Sequence, residues 1–125
     1  MSPKRGDAVA PPAADQEYEL RFGTSEAAAQ WPELCKRFTG NCREAWDSLR
    51  TSPLTRSPKQ KPLQGRLATR PISGVDLPQR QFDISSGARL IYCVDERKQT
   101  VWLVDASAAH PGATVAKGKR SSTNR

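Results

Sequence analysis

Apolar and polar residues alternate from Tyr18: Tyr18, Leu20 and Phe22 are separated by Glu19 and Arg21, and Gly23 breaks the run. A period of two predicts a short strand with one buried face. Thr24 and Ser25 then offer hydroxyls for a helix start. Ala27, Trp31, Leu34, Cys35 and Phe38 follow at i, i+4, i+7, i+8 and i+11, a single apolar stripe on a helix. Pro32 disturbs it, because an interior proline costs about 3 kcal/mol. The helix either kinks at Pro32 or begins there, with the proline in its first turn. Gly40 is the expected stop, and Asn41 the next cap, with Glu44 completing a capping box. Cys42, Ala45, Trp46 and Leu49 form the second stripe, which Thr51, Ser52 and Pro53 end. So short a link predicts an antiparallel helix hairpin.

Residues 53–78 carry Pro53, Pro58, Pro62, Pro71 and Pro78 and read as an extended basic segment pinned to the core by Leu63 and Leu67. Three strand-like runs follow over 79–85, 88–94 and 100–106, with turns at Ser86-Gly87 and 95–99. The pattern predicts an α+β fold: an N-terminal strand, a two-helix hairpin, then an antiparallel three-stranded meander, one sheet packed on the helices. Residues 1–16 have no apolar period and are expected to form a disordered N-terminal extension. The domain is expected over 17–115, followed by a basic flexible tail over 116–125.

A length of 125 residues allows one compact domain, and 36% hydrophobic residues with ten prolines suit one with unfolded ends. No run approaches the roughly 18–20 apolar residues of a membrane span, and the N-terminus lacks a signal-peptide core. Cytoplasm is the expected location, with no membrane contact. The three cysteines, Cys35, Cys42 and Cys93, include no tight pair, and His110 is the lone histidine. That ligand supply leaves no metal site and no cofactor expected; the cysteines read as small buried apolar residues.

Charge changes the picture more. The net charge is +7, but residues 1–47 carry −2 and residues 48–125 carry +9. Arg50, Arg56, Lys59, Lys61, Arg66 and Arg70 occupy 48–75 without a carboxylate, and Lys117, Lys119, Arg120 and Arg125 end the chain the same way. A one-signed field attracts polyanions, nucleic acid first.

Arg89 sits inside the apolar run ARLIYCV. A charge there needs solvent, a carboxylate such as Asp83 or Asp105, or a bound anion, and arginine matches phosphate oxygens with two parallel donors. If Ser86-Gly87 is a two-residue turn, Ile84 faces Arg89, and Arg80 shares its face; one residue of slippage would separate them. His110 follows the last strand, and an imidazole with a pKa of roughly 6.5 suits acid–base work. Lys59, Lys61 and Arg66, around the turn-permitting Gly65, suit phosphate contacts or plain solvation. Trp31, Trp46 and Trp102 lie on core stripes. No phosphate-binding glycine loop and no Ser/His/Asp motif is present.

The segment KPLQGRL, the hairpin RQFDISSGARLIYCVDERKQTVWLVDA and the closing His-Pro resemble the RelE/ParE superfamily of type II toxins over roughly 18–115. The most specific part is G-x-R-L-I-Y-x-V-D, then a turn, then T-V-W-L-V. The resemblance implies a RelE-like domain over 17–115. It also implies an endoribonuclease that cleaves mRNA in the ribosomal A site, inhibits translation and is neutralised by a cognate antitoxin. On that resemblance Arg89 steadies the attacked phosphate, Arg80 contacts or activates the substrate, and His110 serves as acid or base. Lys59, Lys61, Arg66 and Arg70 would grip RNA. The 2′-hydroxyl would attack the adjacent phosphate without a metal, leaving a 2′,3′-cyclic phosphate. Unlike several relatives, the chain has no tyrosine after His110, and Glu96 falls in a turn, so no glutamate base presents itself. The alternatives are a ParE-like DNA gyrase inhibitor on the same fold and a catalytically inactive RNA-binding module.

Overall fold

The alternation at the N-terminal edge becomes β1 (Glu19–Phe22), and the two apolar stripes become α1 (Ser25–Arg37) and α2 (Thr39–Thr51). The computed structural model describes Arg5 and residues 16–108. After the helices come β2 (Gln60–Pro62), a 3-10 turn (Gly65–Leu67), β3 (Thr69–Ile72), β4 (Val75–Asp83), β5 (Ala88–Asp95) and β6 (Thr100–Ala108). The main sheet has the order β1-β6-β5-β4-β2, with β3 paired to β4 off that path. β1 runs parallel to β6, and the other pairs are antiparallel. The α+β class, the first strand, the helix pair and the meander are as expected. Two further strands, β2 and β3, and the first half of β4 lie in the segment expected to be extended.

Thr24 starts α1 as expected. Its Oγ1 accepts the Ala27 N–H at 3.0 Å and donates to the Val104 carbonyl at 2.7 Å, which ties the helix to β6. Pro32 lies inside α1 on an exposed position, so the helix does not begin there. Its lost hydrogen bond is offset by burial of Ala27 and Leu34 and by Trp31 packing on the core. Gly40 and Asn41 correct the expected boundary. A single residue, Phe38, separates the helices: its N–H bonds to the Leu34 carbonyl at 2.9 Å while its own carbonyl accepts the Cys42 N–H at 2.8 Å. Gly40 therefore sits in the first turn of α2, and the Asn41 amide donates to the Ile84 carbonyl at 2.8 Å instead of capping.

Two apolar cores lie on opposite faces of the sheet. The larger joins Leu34, Cys42, Ala45 and Leu49 of the helices to Phe82, Leu90, Tyr92, Val94, Val101 and Leu103. The smaller joins Leu77, Cys93 and Val104, with Ile72, Ile91 and Trp102 packed against them. The β3–β4 hairpin supplies Ile72 and Leu77 to that second core. Its turn is Ser73-Gly74, with φ of +51° and +82°, the doubly left-handed form whose twist matches the strands it joins. Leu63 is half-buried, but Leu67 is 60% exposed and does not pin the segment. The Leu67 carbonyl does so instead, accepting from Gln79 Nε2 at 2.9 Å. No helix among the described residues is long and apolar enough to cross a membrane.

Candidate functional site

The turn between β4 and β5 decides which side chains meet. Ser85 and Ala88 pair across Ser86-Gly87, as a two-residue loop requires. The Ala88 carbonyl accepts two N–H groups, however, from Ser85 at 3.1 Å and from Ile84 at 2.9 Å. Two residues on β4's side thus oppose one on β5, which is a bulge. The added residue places Asp83, rather than Ile84, opposite Arg89, and Arg80 opposite Tyr92. Arg80 and Arg89 consequently lie on opposite faces, against the expected sharing of one face.

Arg89 is exposed on the face away from the helices. Its cross-strand neighbours are Asp83 on β4 and Ser107 on β6. Its guanidinium forms no hydrogen bond and no ion pair within 4.0 Å among the described residues, so neither Asp83 nor Asp105 closes a salt bridge on it. Asp83 is held by others: Lys61 Nζ donates to Oδ2 at 3.0 Å and Gln81 Nε2 to Oδ1 at 2.7 Å. Partial burial pushes the Asp83 carboxyl up. The Gln81 and Lys61 hydrogen bonds, with the Lys61 and Arg89 charges, outweigh it and hold the carboxyl below the usual range. Asp105 stands opposite Ile91 and accepts the Ser107 hydroxyl at 2.7 Å.

Arg80 is 5% exposed on the helix-facing side. Its Nε donates to the Tyr92 hydroxyl at 3.1 Å and its Nη2 to the Thr55 carbonyl. The same hydroxyl accepts Gln60 Nε2 at 3.1 Å and donates to the Pro53 carbonyl at 3.0 Å. Gln60 in turn takes the Ser48 hydroxyl on its Oε1 at 2.9 Å. A guanidinium with no carboxylate among the described residues is thus accommodated by neutral acceptors, and it fastens the 53–60 loop and β2 to α2 and the sheet. A tyrosine in an apolar strand must find a partner for its hydroxyl. That requirement was the available signal for the contact between Arg80 and Tyr92.

The basic block divides by whether its charges are already matched. Arg50 is bound to Glu17 and Asp47 and lies 4.6 Å from the Trp46 ring. Lys59 pairs with Glu44, 3.1 Å from both carboxylate oxygens, and Lys61 pairs with Asp83. Arg66 follows Gly65, whose φ of +63° makes the expected tight turn. Arg56, Arg66 and Arg70 are exposed, and none has a carboxylate partner among the described residues. Arg70 lies opposite Leu77 on the hairpin over the smaller core, near enough to Cys93 for its charge to act on that thiol. Lys61, Arg70 and Arg89 therefore border one side of the sheet. His110, the tail beyond it and residues 6–15 lie outside the described residues. Among the described residues no three His, Cys, Asp or Glu side chains gather as a metal-binding group.

No family model and no curated protein matches the chain. Among solved structures it is similar to one chain of the toxin–antitoxin complex RelBE2 from Mycobacterium tuberculosis. The identity is 22% and the TM-score 0.46, over 78% of this chain and 97% of that one.

Proposed function

We propose that this chain is the toxin of a type II toxin–antitoxin system, an endoribonuclease that cuts mRNA on the ribosome and so inhibits translation. The observation that carries the reading is Arg89: an outward guanidinium with no hydrogen bond and no ion pair within 4.0 Å among the described residues, in the otherwise apolar run ARLIYCV, within the G-x-R-L-I-Y pattern that resembles RelE-like toxins. Lys61 and Arg70 on the same side of the sheet support it, because a backbone of phosphates needs several cations spaced along its path.

In this reading the guanidinium of Arg89 holds the scissile phosphate and stabilises the charge that grows on it as the 2′-oxygen attacks. The products are a 2′,3′-cyclic phosphate and a 5′-hydroxyl. Lys61, Arg66 and Arg70 contact neighbouring phosphates, with Lys59 at the margin. His110 is the acid for the leaving oxygen. Arg80 acts through Tyr92 and the 53–60 loop, as a positioning residue beneath the site. The partner is an antitoxin whose acidic segment covers the positive face.

The test compares the wild-type chain with Arg89→Ala and His110→Ala in a translation mixture, with gyrase supercoiling measured alongside. Translation arrest with mRNA cleavage, lost in both folded variants, supports the reading. Full toxicity of both variants, or inhibition of supercoiling without RNA cleavage, overturns it.

A further inference from the structure

Resting on the ribonuclease reading above, we propose that Asp83 is the base that takes the proton from the attacking 2′-hydroxyl. The bulge at Ile84 and Ser85 places it directly across β4–β5 from Arg89. Cβ atoms of such a pair stand roughly 4.5–5.5 Å apart, so a carboxylate and a phosphate-binding guanidinium rise side by side from one face. A ribose 2′-oxygen lies next to its own 3′-phosphate, so holding that phosphate on Arg89 brings the nucleophile toward Asp83.

The surroundings suit the task. Gln81 and Lys61 each occupy one oxygen of Asp83, which fixes the carboxylate while leaving further lone pairs to accept a proton. Asp83 is reached by Lys61 from β2, Gln81 from its own strand and Arg89 from β5, with Ser107 and Asp105 beyond Arg89 on β6. The helices lie on the other face and present nothing to it. Asp105 is the other carboxylate next to Arg89 on this face, but it stands diagonal to Arg89 and is bound by Ser107. Lys61 also couples binding to basicity. When it turns from Asp83 toward an arriving phosphate, the carboxylate loses a donor and a counter-charge, and its proton affinity rises as the reaction begins.

In the step, Asp83 accepts the 2′-hydroxyl proton as the 2′-oxygen–phosphorus bond forms. The bond from phosphorus to the 5′-oxygen breaks, and that oxygen leaves as a hydroxyl, its proton supplied by the acid of the reading above. Asp83 then returns its proton to solvent.

The test uses full-length Asp83→Asn and Asp83→Glu, with thermal melts to establish folding. Single-turnover mRNA cleavage in a translation mixture and binding of an oligoribonucleotide are measured separately. Asp83→Asn should lower the cleavage rate by about 10²–10⁴-fold with binding unchanged or tighter. It should also abolish the acidic limb of the pH–rate profile, and Asp83→Glu should restore part of the rate. Cleavage by Asp83→Asn within about threefold of wild type, while Arg89→Ala is inactive, would remove Asp83 from the chemistry and leave the ribonuclease reading standing. A loss confined to affinity would reduce Asp83 to a tether for Lys61 and equally overturn its role. A wild-type chain that cuts no RNA overturns the parent reading, and the assignment of Asp83 with it.

Discussion

Arg80 and Tyr92 face each other across β4 and β5 inside the larger core, joined by a hydrogen bond of 3.1 Å from the guanidinium to the phenol. The phenol serves three partners at once: Arg80, Gln60 and the Pro53 carbonyl. Burial raises the Tyr92 pKa, opposed by the Arg80 and Gln60 hydrogen bonds, and the hydroxyl keeps its proton for Pro53. Removing it leaves buried polar groups without a partner, the costly direction of a hydrogen-bond deletion.

Tyr92→Phe is therefore expected to destabilise the fold by about 1–3 kcal/mol despite changing a single oxygen. Urea denaturation followed by tryptophan fluorescence measures it. A loss below about 0.5 kcal/mol, the range of ordinary surface changes, would show that the network carries little.

Arg89→Ala should behave in the opposite way. The side chain is exposed and makes no hydrogen bond or close ion pair among the described residues, so stability should move by no more than about 0.5 kcal/mol. Affinity for single-stranded RNA should fall, and the slope of log affinity against log salt should shrink by about 0.7–1. Binding titrations at several salt concentrations check this, and an unchanged slope would mean that Arg89 meets no phosphate.

The sequence disclosed the helices, the strand pattern and the turn at Ser86-Gly87, because each has a local period or a local turn chemistry. It did not disclose the bulge. Whether the Ala88 carbonyl takes one N–H or two is settled by packing of Ile84 and Ala88 against the helices, and no residue pattern announces it. Yet that one extra residue moves Arg80 from the face of Arg89 into the core and brings Asp83 up in its place. The β3–β4 hairpin was missed for a different reason: Pro71 argued against a strand, while β3 has an edge that needs no N–H there. Arg89 itself was legible as a cation misplaced in an apolar run.

The turn of that hairpin offers a test of local strain. Ser73 holds φ of +51°, where a side chain with Cβ is disfavoured and asparagine is tolerated better. Ser73→Asn should stabilise the chain by up to about 1 kcal/mol, and Gly74→Ala, at φ of +82°, should cost roughly 1–2 kcal/mol. Thermal unfolding of the two variants reads both signs; a destabilised Ser73→Asn would contradict the turn geometry.

The thiols should separate by burial. Burial pushes Cys42 up to about 12 and Cys93 up to about 11, while Cys35 is raised less and is half-exposed. A thiol reagent at pH 8 should modify Cys35 first in the native chain, with the other two reacting at the rate of unfolding. The raised values favour the folded state fully below pH 9, the ordinary value, and that contribution disappears as pH rises through 11 and 12. Mass spectrometry of the labelled chain reads the order; fast labelling of Cys93 would refute its burial.

Because β1 runs parallel to β6, Glu19 lies beside Thr100, whereas Ala108 lies at the far end of β6, next to Ala88 and the Arg89 row. Eight steps of strand separate the two exits, roughly 26 Å at about 3.3 Å per residue. An affinity tag joined directly at Glu19 would start from the end of the sheet far from that row, while one joined directly at Ala108 would start alongside it. Expression vectors for this chain should carry their handles in front.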